Sequence, residues 1–510
     1  MDTTDAGLGS TYEPTLSRTT QVQPAPTSEW TALHVLTLRA VGLYFAMYYL
    51  EGQVGSRALP GILEKLSVVS VPLVWLTNFF VPWVGAHVFG VMDLSGGGPG
   101  TGDSPREWVQ AFSYALIAVI VAAIWTRVRP RPRHPERAHA WLRAIVRYPL
   151  AFTMIDYGVI KFAGVQFGTQ PFQQLMTPLG QFSPPALMWA FMASSFGYRA
   201  FAALAEVVGG VLLLSRRTTT LGALIVLAAM SNVLAMNVAY DVSVKMLAGH
   251  LVLMSAILLV PELRRLGNVF VLNRTAWPVE MPTLVDSPRL SRTLGIAAVV
   301  YAAYGVGSVV WEDVSLGAQI HSGPHTPLAG IFDVESLSRN GRSVTDASDT
   351  TRWSRVAIET TGFMTVQLAD ARVRSFLTVP DSAGRRLVVI VPRGSLDPRF
   401  DYRNYYVPLT KESIGSIPVS DTTRRFELVL EQSDPTHMRL RGRLQGDSVD
   451  VVLRRADESD LLLHHWGGTH LVNRMTFSDT WIVAPYRGWP VDSASDRSPT
   501  SGVAPGTSSR

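Results

Sequence analysis

Long apolar runs dominate residues 30–315, and short alternating runs dominate the rest of the chain. A transmembrane helix needs about 20 predominantly apolar residues. By that criterion the pattern predicts about eight spans, near 30–50, 68–92, 108–127, 143–162, 198–215, 219–239, 244–262 and 293–311. Pro72 and Pro82 interrupt the second span. We therefore expect an α-helical polytopic membrane bundle in residues 30–315.

Four segments lie outside this pattern. Residues 171–194 are too short for a span, rich in proline and contain Trp189, which indicates an interfacial or re-entrant piece. The tails, residues 1–29 and 486–510, are rich in Ser, Pro, Thr or Gly and are predicted to be disordered. Residues 316–327 are interpreted as a linker to a second domain.

From Gly330 onward the apolar residues alternate with polar ones, which is the period of a β-strand. Clear examples lie at 364–368, 426–430, 438–440 and 449–453. Gln445–Ser448 separates the last two runs and predicts a tight hairpin. Residues 328–485 are therefore expected to form an antiparallel β-barrel or sandwich.

The start of this domain resembles the first strand of lipocalins, in which a Gly-x-aromatic motif closes the base of the barrel. The matching residues are Gly330-Ile331-Phe332, with Phe at the position where lipocalins have Trp. The resemblance implies that an arginine from the last strand stacks on Phe332, and Arg474 is the candidate. A lipocalin-like barrel and other small β-barrels both fit the pattern.

The distribution of basic residues predicts the orientation of the bundle. The formal net charge is +5, and most of the excess lies in loops between apolar runs, which is typical of membrane topology and not of nucleic-acid binding. The clusters Arg127–Arg143, Arg216-Arg217 and Arg264-Arg265 all fall on one side, which is then cytoplasmic. This predicts a multi-pass protein of a bacterial inner (plasma) membrane whose C-terminal domain is extracytoplasmic.

Polar and ionisable residues occur inside the predicted spans, in their outer halves or near mid-depth: Arg39, Asp156, Lys161, Glu206, Asn232, Asn237 and His250. Such groups are costly in lipid, so they face a bundle interior and are functional candidates. We expect them to line a polar cavity that opens outward, with Glu206 paired to Arg39 or Lys161. The alternative is an ion-pair network that only holds helices together. His250 also fits a hydrogen-bonded core histidine.

Three motifs follow one another within residues 156–261. Tyr157-Gly158-Val159-Ile160-Lys161 ends the fourth span, Glu206-Val207-Val208-Gly209-Gly210 lies in the fifth, and Arg216–Ala223 opens the sixth, which ends at Asn237. In this order the stretch resembles the DoxX-like family of small four-helix membrane proteins, with a core at 143–262. The resemblance implies a membrane component associated with oxidoreductases, with quinone or thiol chemistry. This chain departs from the family in its additional helices and in the proline-rich insertion after Lys161.

The absence of cysteine excludes disulfides, thiolate metal sites and cysteine nucleophiles. The histidines at 321, 325, 464, 465 and 470 match no standard zinc spacing, so no metal site is expected. We found no motif that assigns a catalytic residue, and whether the protein is an enzyme stays open.

Three functions fit these patterns. The first is a membrane protein that binds a lipophilic or quinone-type ligand in an outward-facing polar cavity, alongside a redox partner protein. The second is a non-enzymatic scaffold or lipid-binding protein whose β-barrel binds a hydrophobic ligand or partner. The third is a transporter, which the helices broken by proline would suit.

Overall fold

The protein is described by a computed structural model. The described residues are 31–50, 71–94, 103–130, 134–168, 171–276, 285, 287–322, 328–346, 348–359, 363–380, 386–390, 425–432, 434–444 and 446–457. Both tails that were predicted to be disordered, together with His325, His464, His465, His470 and Arg474, lie outside these residues.

The N-terminal part of the chain is helical, and the C-terminal part is an antiparallel sheet. The helices are α1 (Ala32–Leu50), α2 (Val71–Val84), α3 (Pro105–Val128), α4 (Pro135–Phe162), α5 (Phe172–Met176), α6 (Pro184–Ser194), α7 (Phe196–Leu214), α8 (Thr219–Ala239), α9 (Lys245–Leu259), α10 (Leu263–Phe270) and α11 (Pro288–Ser322).

Within the described residues, five helical stretches are long and apolar enough to cross a membrane: α3, α7, α8, α9 with its continuation into α10, and α11. This suggests a membrane protein, as the apolar runs predicted. The other three predicted spans fall on α1, α2 and α4, so the number of eight is not confirmed. The described part of α2 has only 14 residues. In α4, Arg147, Asp156 and Lys161 interrupt the apolar sequence.

Glycines set the close packing of α7 against its two neighbours. A Cβ atom on Gly210 would lie 2.7 Å from the carbonyl oxygen of Ala151 in α4. On the next residue, Gly209, it would lie 2.7 Å from the side chain of Val226 in α8. Gly158 of α4 faces α7 in the same way, since its Cβ would lie 2.8 Å from the carbonyl oxygen of Ala203. Small residues at these positions let the helix backbones approach closely.

The segment predicted to be interfacial or re-entrant forms short elements. It contains α5, a 3₁₀ turn at Leu179–Gln181 and the 11-residue α6. Proline precedes α5 and occupies the first two positions of α6, where a missing backbone N–H is tolerated. Neither helix is long enough to cross a membrane, since a span needs about 20 residues.

α11 continues to Ser322 and therefore runs through the first residues of the predicted linker. The strands that follow are β1 (Gly330–Arg339), β2 (Arg342–Ser343), β3 (Trp353–Ile358), β4 (Phe363–Leu368), β5 (Val373–Pro380), β6 (Arg386–Ile390), β7 (Arg425–Gln432), β8 (His437–Leu444) and β9 (Asp447–Arg455). The four strands predicted from alternation lie within β4, β7, β8 and β9, so these predictions are confirmed.

The sheet is antiparallel and curled. Its order is β2-β1-β3-β4-β5-β6-β7-β8-β9, and β9 also pairs with β1. In the β8–β9 pair Leu444 is opposite Asp447, which confirms the predicted hairpin. Gly446 supports this tight turn at a φ of +95°, a conformation that glycine adopts without steric cost. One face of the sheet is a buried cluster that includes Trp353, Met364 and Val451.

The aromatic residue at the start of the sheet is stacked with an arginine. Phe332 is buried, and the guanidinium carbon of Arg455 lies 5.0 Å from the centroid of its ring. Phe332 and Arg455 are opposite each other in the β1–β9 pair. Arg455 also donates a hydrogen bond to the carbonyl of Ala329 at 3.0 Å. Among the described residues the arginine over Phe332 is therefore Arg455, the last residue of β9, while the predicted Arg474 lies outside those residues.

Candidate functional site

A cavity lies between α4, α7, α8, α9 and the segment that joins α4 to α7. Together with the open solvent at its mouth it encloses about 770 Å³. Its wall consists of Tyr157, Lys161, Gln166, Phe167, Met188, Trp189, Met192, Tyr198, Ala202, Glu206, Met230, Asn232, Val233, Met236, Asn237, Val242, Val244, Leu247, Ala248 and Leu251.

A buried ion pair forms one wall of this cavity. The Nζ atom of Lys161 lies 2.7 Å from Oε2 of Glu206, and the two side chains are 7% and 3% exposed. Nζ also donates to the carbonyl oxygen of Tyr157 at 3.1 Å and lies 5.3 Å from the centroid of the Tyr157 ring. The close approach of α4 and α7 at Gly158 and Gly210 brings the two charges together.

Two amide side chains extend the polar part of the wall. Asn237 is 4% exposed, and its Nδ2 has no hydrogen-bond partner within the described part of the chain. The Oε1 atom of Gln166 is buried and likewise has no partner there. A buried polar atom without a partner is costly, so these atoms are a donor and an acceptor that a ligand could satisfy.

Most of the remaining wall is apolar and adaptable. Phe167, Met188, Met192 and Val242 form a small buried cluster with Trp189 packed against it. The ring centroids of Phe167 and Trp189 are 4.9 Å apart. Methionine side chains are flexible and polarisable, so they adjust to a bound ring or alkyl chain.

The structure brings together four of the seven predicted cavity residues: Lys161, Glu206, Asn232 and Asn237. Asn232 is exposed, and its Nδ2 lies 3.7 Å from the sulfur of Met236. Asp156 is buried on α4 and is not part of the described cavity wall. The prediction that Glu206 pairs with Arg39 or Lys161 is confirmed for Lys161.

Arg39 lies elsewhere in the bundle, against the C-terminal end of α3. Its Nη1 donates to Oγ1 of Thr126 at 3.0 Å and to the carbonyl of Arg129 at 2.9 Å. Its guanidinium carbon lies 4.6 Å from the ring centroid of Trp125. These contacts stabilise the buried guanidinium of Arg39, which is not part of the cavity wall.

His250 also lies outside the cavity wall, between α9 and α1. It shares hydrogen bonds with the carbonyl of Met246 at 2.7 Å and the hydroxyl of Tyr44 at 2.5 Å. The ring of Tyr48 stacks on it at 4.2 Å. The interpretation of His250 as a hydrogen-bonded core histidine is the one that fits.

The sheet contacts the segment that forms part of the cavity wall. Oε1 of Glu359, which follows β3, accepts a hydrogen bond from the backbone N–H of Gln173 in α5 at 2.9 Å. Gln367 donates from Nε2 to the carbonyl of Met176 at 2.6 Å, at the other end of α5. The net pKa of Glu359 is raised to about 7, because burial disfavours the charged carboxylate. Backbone hydrogen bonds from Gln173 and Phe172 act in the opposite direction and limit the rise.

Apolar contacts complete this junction, because Met176 is buried together with Ile331 and Ala357. The residues before and after α5, Phe167 and Trp189, line the cavity. The curled sheet therefore holds a wall of the cavity through α5.

Sequence reasoning missed Gln166, Met188 and Met192, because they lie between the predicted fourth and fifth spans, and only positions inside spans were considered for the cavity. Glu359 was missed because its partner is 186 residues away in the chain. Over the described ranges, no group of three or more His, Cys, Asp or Glu side chains is placed to hold a metal ion.

Comparison with known proteins identifies one relative. The chain is 32% identical over 127 residues to the Bacillus subtilis (strain 168) protein YwoB, which is described as an uncharacterized protein. The matched region covers 25% of this chain and 80% of YwoB. No family model matches the chain, and no solved structure matches it.

Proposed function

The chain belongs to the same family as Bacillus subtilis YwoB, and from its own structure we propose that it is a membrane protein that binds a small lipophilic ligand in its polar cavity. The observation that carries the proposal is the wall formed by the Lys161–Glu206 pair and Asn237, whose Nδ2 finds no partner within the described residues. Buried polar groups are costly in a bundle, so their concentration at one cavity supports a binding role.

The chemistry of the wall favours a ligand with an apolar body and an uncharged polar head. Lys161 and Glu206 neutralise each other, so a charged head would enter without a free counter-charge from this pair. The Nδ2 atom of Asn237 would donate to a carbonyl or hydroxyl oxygen. Aromatic rings and methionines surround the remaining space. A quinone-type molecule has these features, and the DoxX-like resemblance supports the same class of ligand and an oxidoreductase as partner.

We also propose that the bundle lies in the plasma membrane of a bacterium, with the cavity and the sheet on the outer side. The three basic clusters that were predicted to be cytoplasmic support this orientation. The sheet would be a lipocalin-like barrel of eight strands, β1 and β3 to β9. The pairing of β1 with both β3 and β9, and the stacking of Arg455 on Phe332, support that topology.

The alternative of a ligand inside the sheet is less well supported. Its inward face carries a packed cluster in which Val356, Met364 and Leu440 are fully buried. The cavity in the bundle has the room and the free polar atoms that this cluster lacks in the described part of the sheet.

Mass spectrometry of small molecules retained by the detergent-purified protein tests the proposal. Wild-type protein should retain a lipophilic compound, and Asn237→Leu should retain much less of it while remaining folded. The matched control is Ser231→Leu, on the same helix, because Ser231 is exposed and lies outside the cavity wall. Retention by Asn237→Leu equal to that of the wild type would contradict the proposal.

A further inference from the structure

A second polar site lies in the same bundle, far from the cavity. Arg147 of α4 is 5% exposed. It precedes Lys161 by fourteen residues, which is roughly 21 Å along an α-helix at about 1.5 Å per residue. Arg147 was not among the cavity residues predicted from the sequence. It falls inside the predicted span 143–162 and is an intramembrane charge, as those residues are.

The contacts of Arg147 are with neutral groups. Its Nη1 donates to Oγ1 of Thr219 at 3.3 Å, and its guanidinium carbon lies 4.5 Å from the ring centroid of Tyr148. The Tyr148 side chain also hydrogen-bonds to it. In the part of the chain that the structure describes, Nε is buried without a hydrogen-bond partner and no carboxylate pairs with the guanidinium.

The surroundings of Arg147 are positive. Arg143 and Arg216 both repel it electrostatically. Glu262, the acidic partner of the neighbouring Arg143 at 3.2 Å, is also engaged with Arg265 at 3.5 Å. A buried charge without a counter-charge is strongly unfavourable, so an anion from outside the chain would stabilise this site.

The start of α8 adds backbone donors to the same place. Thr219, which contacts Arg147, is the first residue of this 21-residue helix. The preceding residue, Thr218, makes no side-chain capping hydrogen bond, because its hydroxyl donates to the carbonyl of Leu212. The uncapped N–H groups at a helix N-terminus favour phosphate oxygens, and guanidinium groups bind them through charge-assisted hydrogen bonds.

We propose that Arg147, Arg216 and the first turn of α8 bind a phosphate group. It is either the headgroup phosphate of an anionic phospholipid or free inorganic phosphate. The site is independent of the ligand cavity. Basic residues at the surface of a bilayer attract anionic headgroups, which makes the lipid a natural source of this phosphate.

The test uses full-length, delipidated protein in a neutral detergent. Thermal unfolding is followed while phosphatidylglycerol, phosphatidylcholine, inorganic phosphate or sodium chloride is added at matched ionic strength. Stabilisation by phosphatidylglycerol alone identifies a lipid headgroup, and stabilisation by inorganic phosphate as well identifies a general phosphate site. The same response to all four additives, or no response, would overturn the proposal.

Variants assign the response to these residues. Arg147→Gln and Arg216→Gln should each weaken the apparent affinity for the phosphate compound by about tenfold, because each removes charge-assisted hydrogen bonds. Arg217→Gln is the matched control, since Arg217 is a neighbouring exposed arginine and should respond like the wild type. If Arg147→Gln does not fold, Arg216→Gln decides the outcome, and an unchanged affinity in that variant would contradict the site.

Discussion

The ammonium group of Lys161 and the carboxylate of Glu206 are 2.7 Å apart in the interior of the bundle, on two helices that pack through glycines. Neither side chain has appreciable access to solvent. Each charge is therefore stabilised in the interior only by the other. Because the pair both joins α4 to α7 and lines the cavity, a loss of the pair should affect the stability of the α4–α7 contact and the shape of the cavity wall together.

Removal of one charge should be much more damaging than removal of both. Glu206→Gln should lower the free energy of unfolding by about 3–5 kcal/mol, because Lys161 is left without its partner. The double variant with Lys161→Met should recover most of that loss. Thermal unfolding in detergent of the wild type, both single variants and the double variant gives the coupling between the two charges. Glu136→Gln is the control, because Glu136 is exposed. Additive effects of the two substitutions would show that the charges are not coupled.

The glycine contacts between α4 and α7 can be tested with a single methyl group. Gly210→Ala should destabilise the bundle by about 1–3 kcal/mol, because its Cβ would overlap the carbonyl of Ala151. Gly249→Ala is the matched control on α9, since the described surroundings leave open space for its Cβ. Denaturation midpoints of both variants provide the comparison, and equal effects would argue against close packing at Gly210.

The junction between Glu359 and α5 should depend on pH. The pKa of Glu359 is raised from 4.5 to about 7, so the folded state binds its proton more tightly than the unfolded state. The stabilisation is complete below pH 4.5 and is lost as the pH rises through about 7. The free energy of unfolding should differ by roughly 3 kcal/mol between these two ends of the pH range for a fully buried carboxyl.

Glu359→Gln cannot titrate and should remove this pH dependence. The measurement is the unfolding temperature of the full-length protein from pH 4.5 to 8, for the wild type and the variant. Glu431→Gln is a control on the same sheet, because the Glu431 side chain is exposed. Parallel curves for wild type and Glu359→Gln would exclude Glu359 as the titrating group.

Phe332 should contribute strongly to the sheet. Phe332→Ala should destabilise it by about 3–5 kcal/mol, because a buried ring is replaced by a cavity. Arg455→Gln should also destabilise it, since it removes both the stacking on Phe332 and the hydrogen bond to Ala329. Trp353 is buried in the same cluster, so fluorescence during denaturation provides a readout. No change in either variant would contradict the role of this stack.

The absence of native cysteine makes the predicted orientation easy to test. Ser348→Cys, on an exposed loop of the sheet, should react with a membrane-impermeant maleimide in intact cells whose outer envelope is permeable to the reagent. Arg264→Cys, in an exposed basic cluster, should react only after the inner membrane is opened. The reverse pattern would invert the proposed topology.

Sequence periodicity located the helices and strands, but it could not give the direction in which each side chain points around a helix. Arg39 and Lys161 were equal candidates for Glu206 because hydropathy gives depth in the membrane and not rotation about the helix axis. The glycine motifs at 158 and 209–210 contained the missing information, since they mark the faces of α4 and α7 that touch. Arg39 instead donates hydrogen bonds to Thr126 and Arg129 at the C-terminal end of α3.

The sheet shows the same division between local and long-range information. Alternation and the Gly446 turn gave the β8–β9 hairpin, because both signals lie within a few residues. The arginine over Phe332 is set by the register of β1 against β9, two strands separated by the whole domain. Local sequence cannot supply that register, so Arg455 was not among the residues predicted to contact Phe332.

The short connection between α11 and the sheet affects the equilibrium between contact and separation of the sheet and α5. This helix ends at Ser322, and only residues 323–327 separate it from Leu328 and the sheet. A tether of this length gives an effective concentration of about millimolar order, so an interface with a Kd below that value is largely occupied whatever the protein concentration. Substitutions at Glu359 or Met176 would therefore alter the fraction of molecules in which the sheet rests on α5, while the two parts of the protein stay covalently joined.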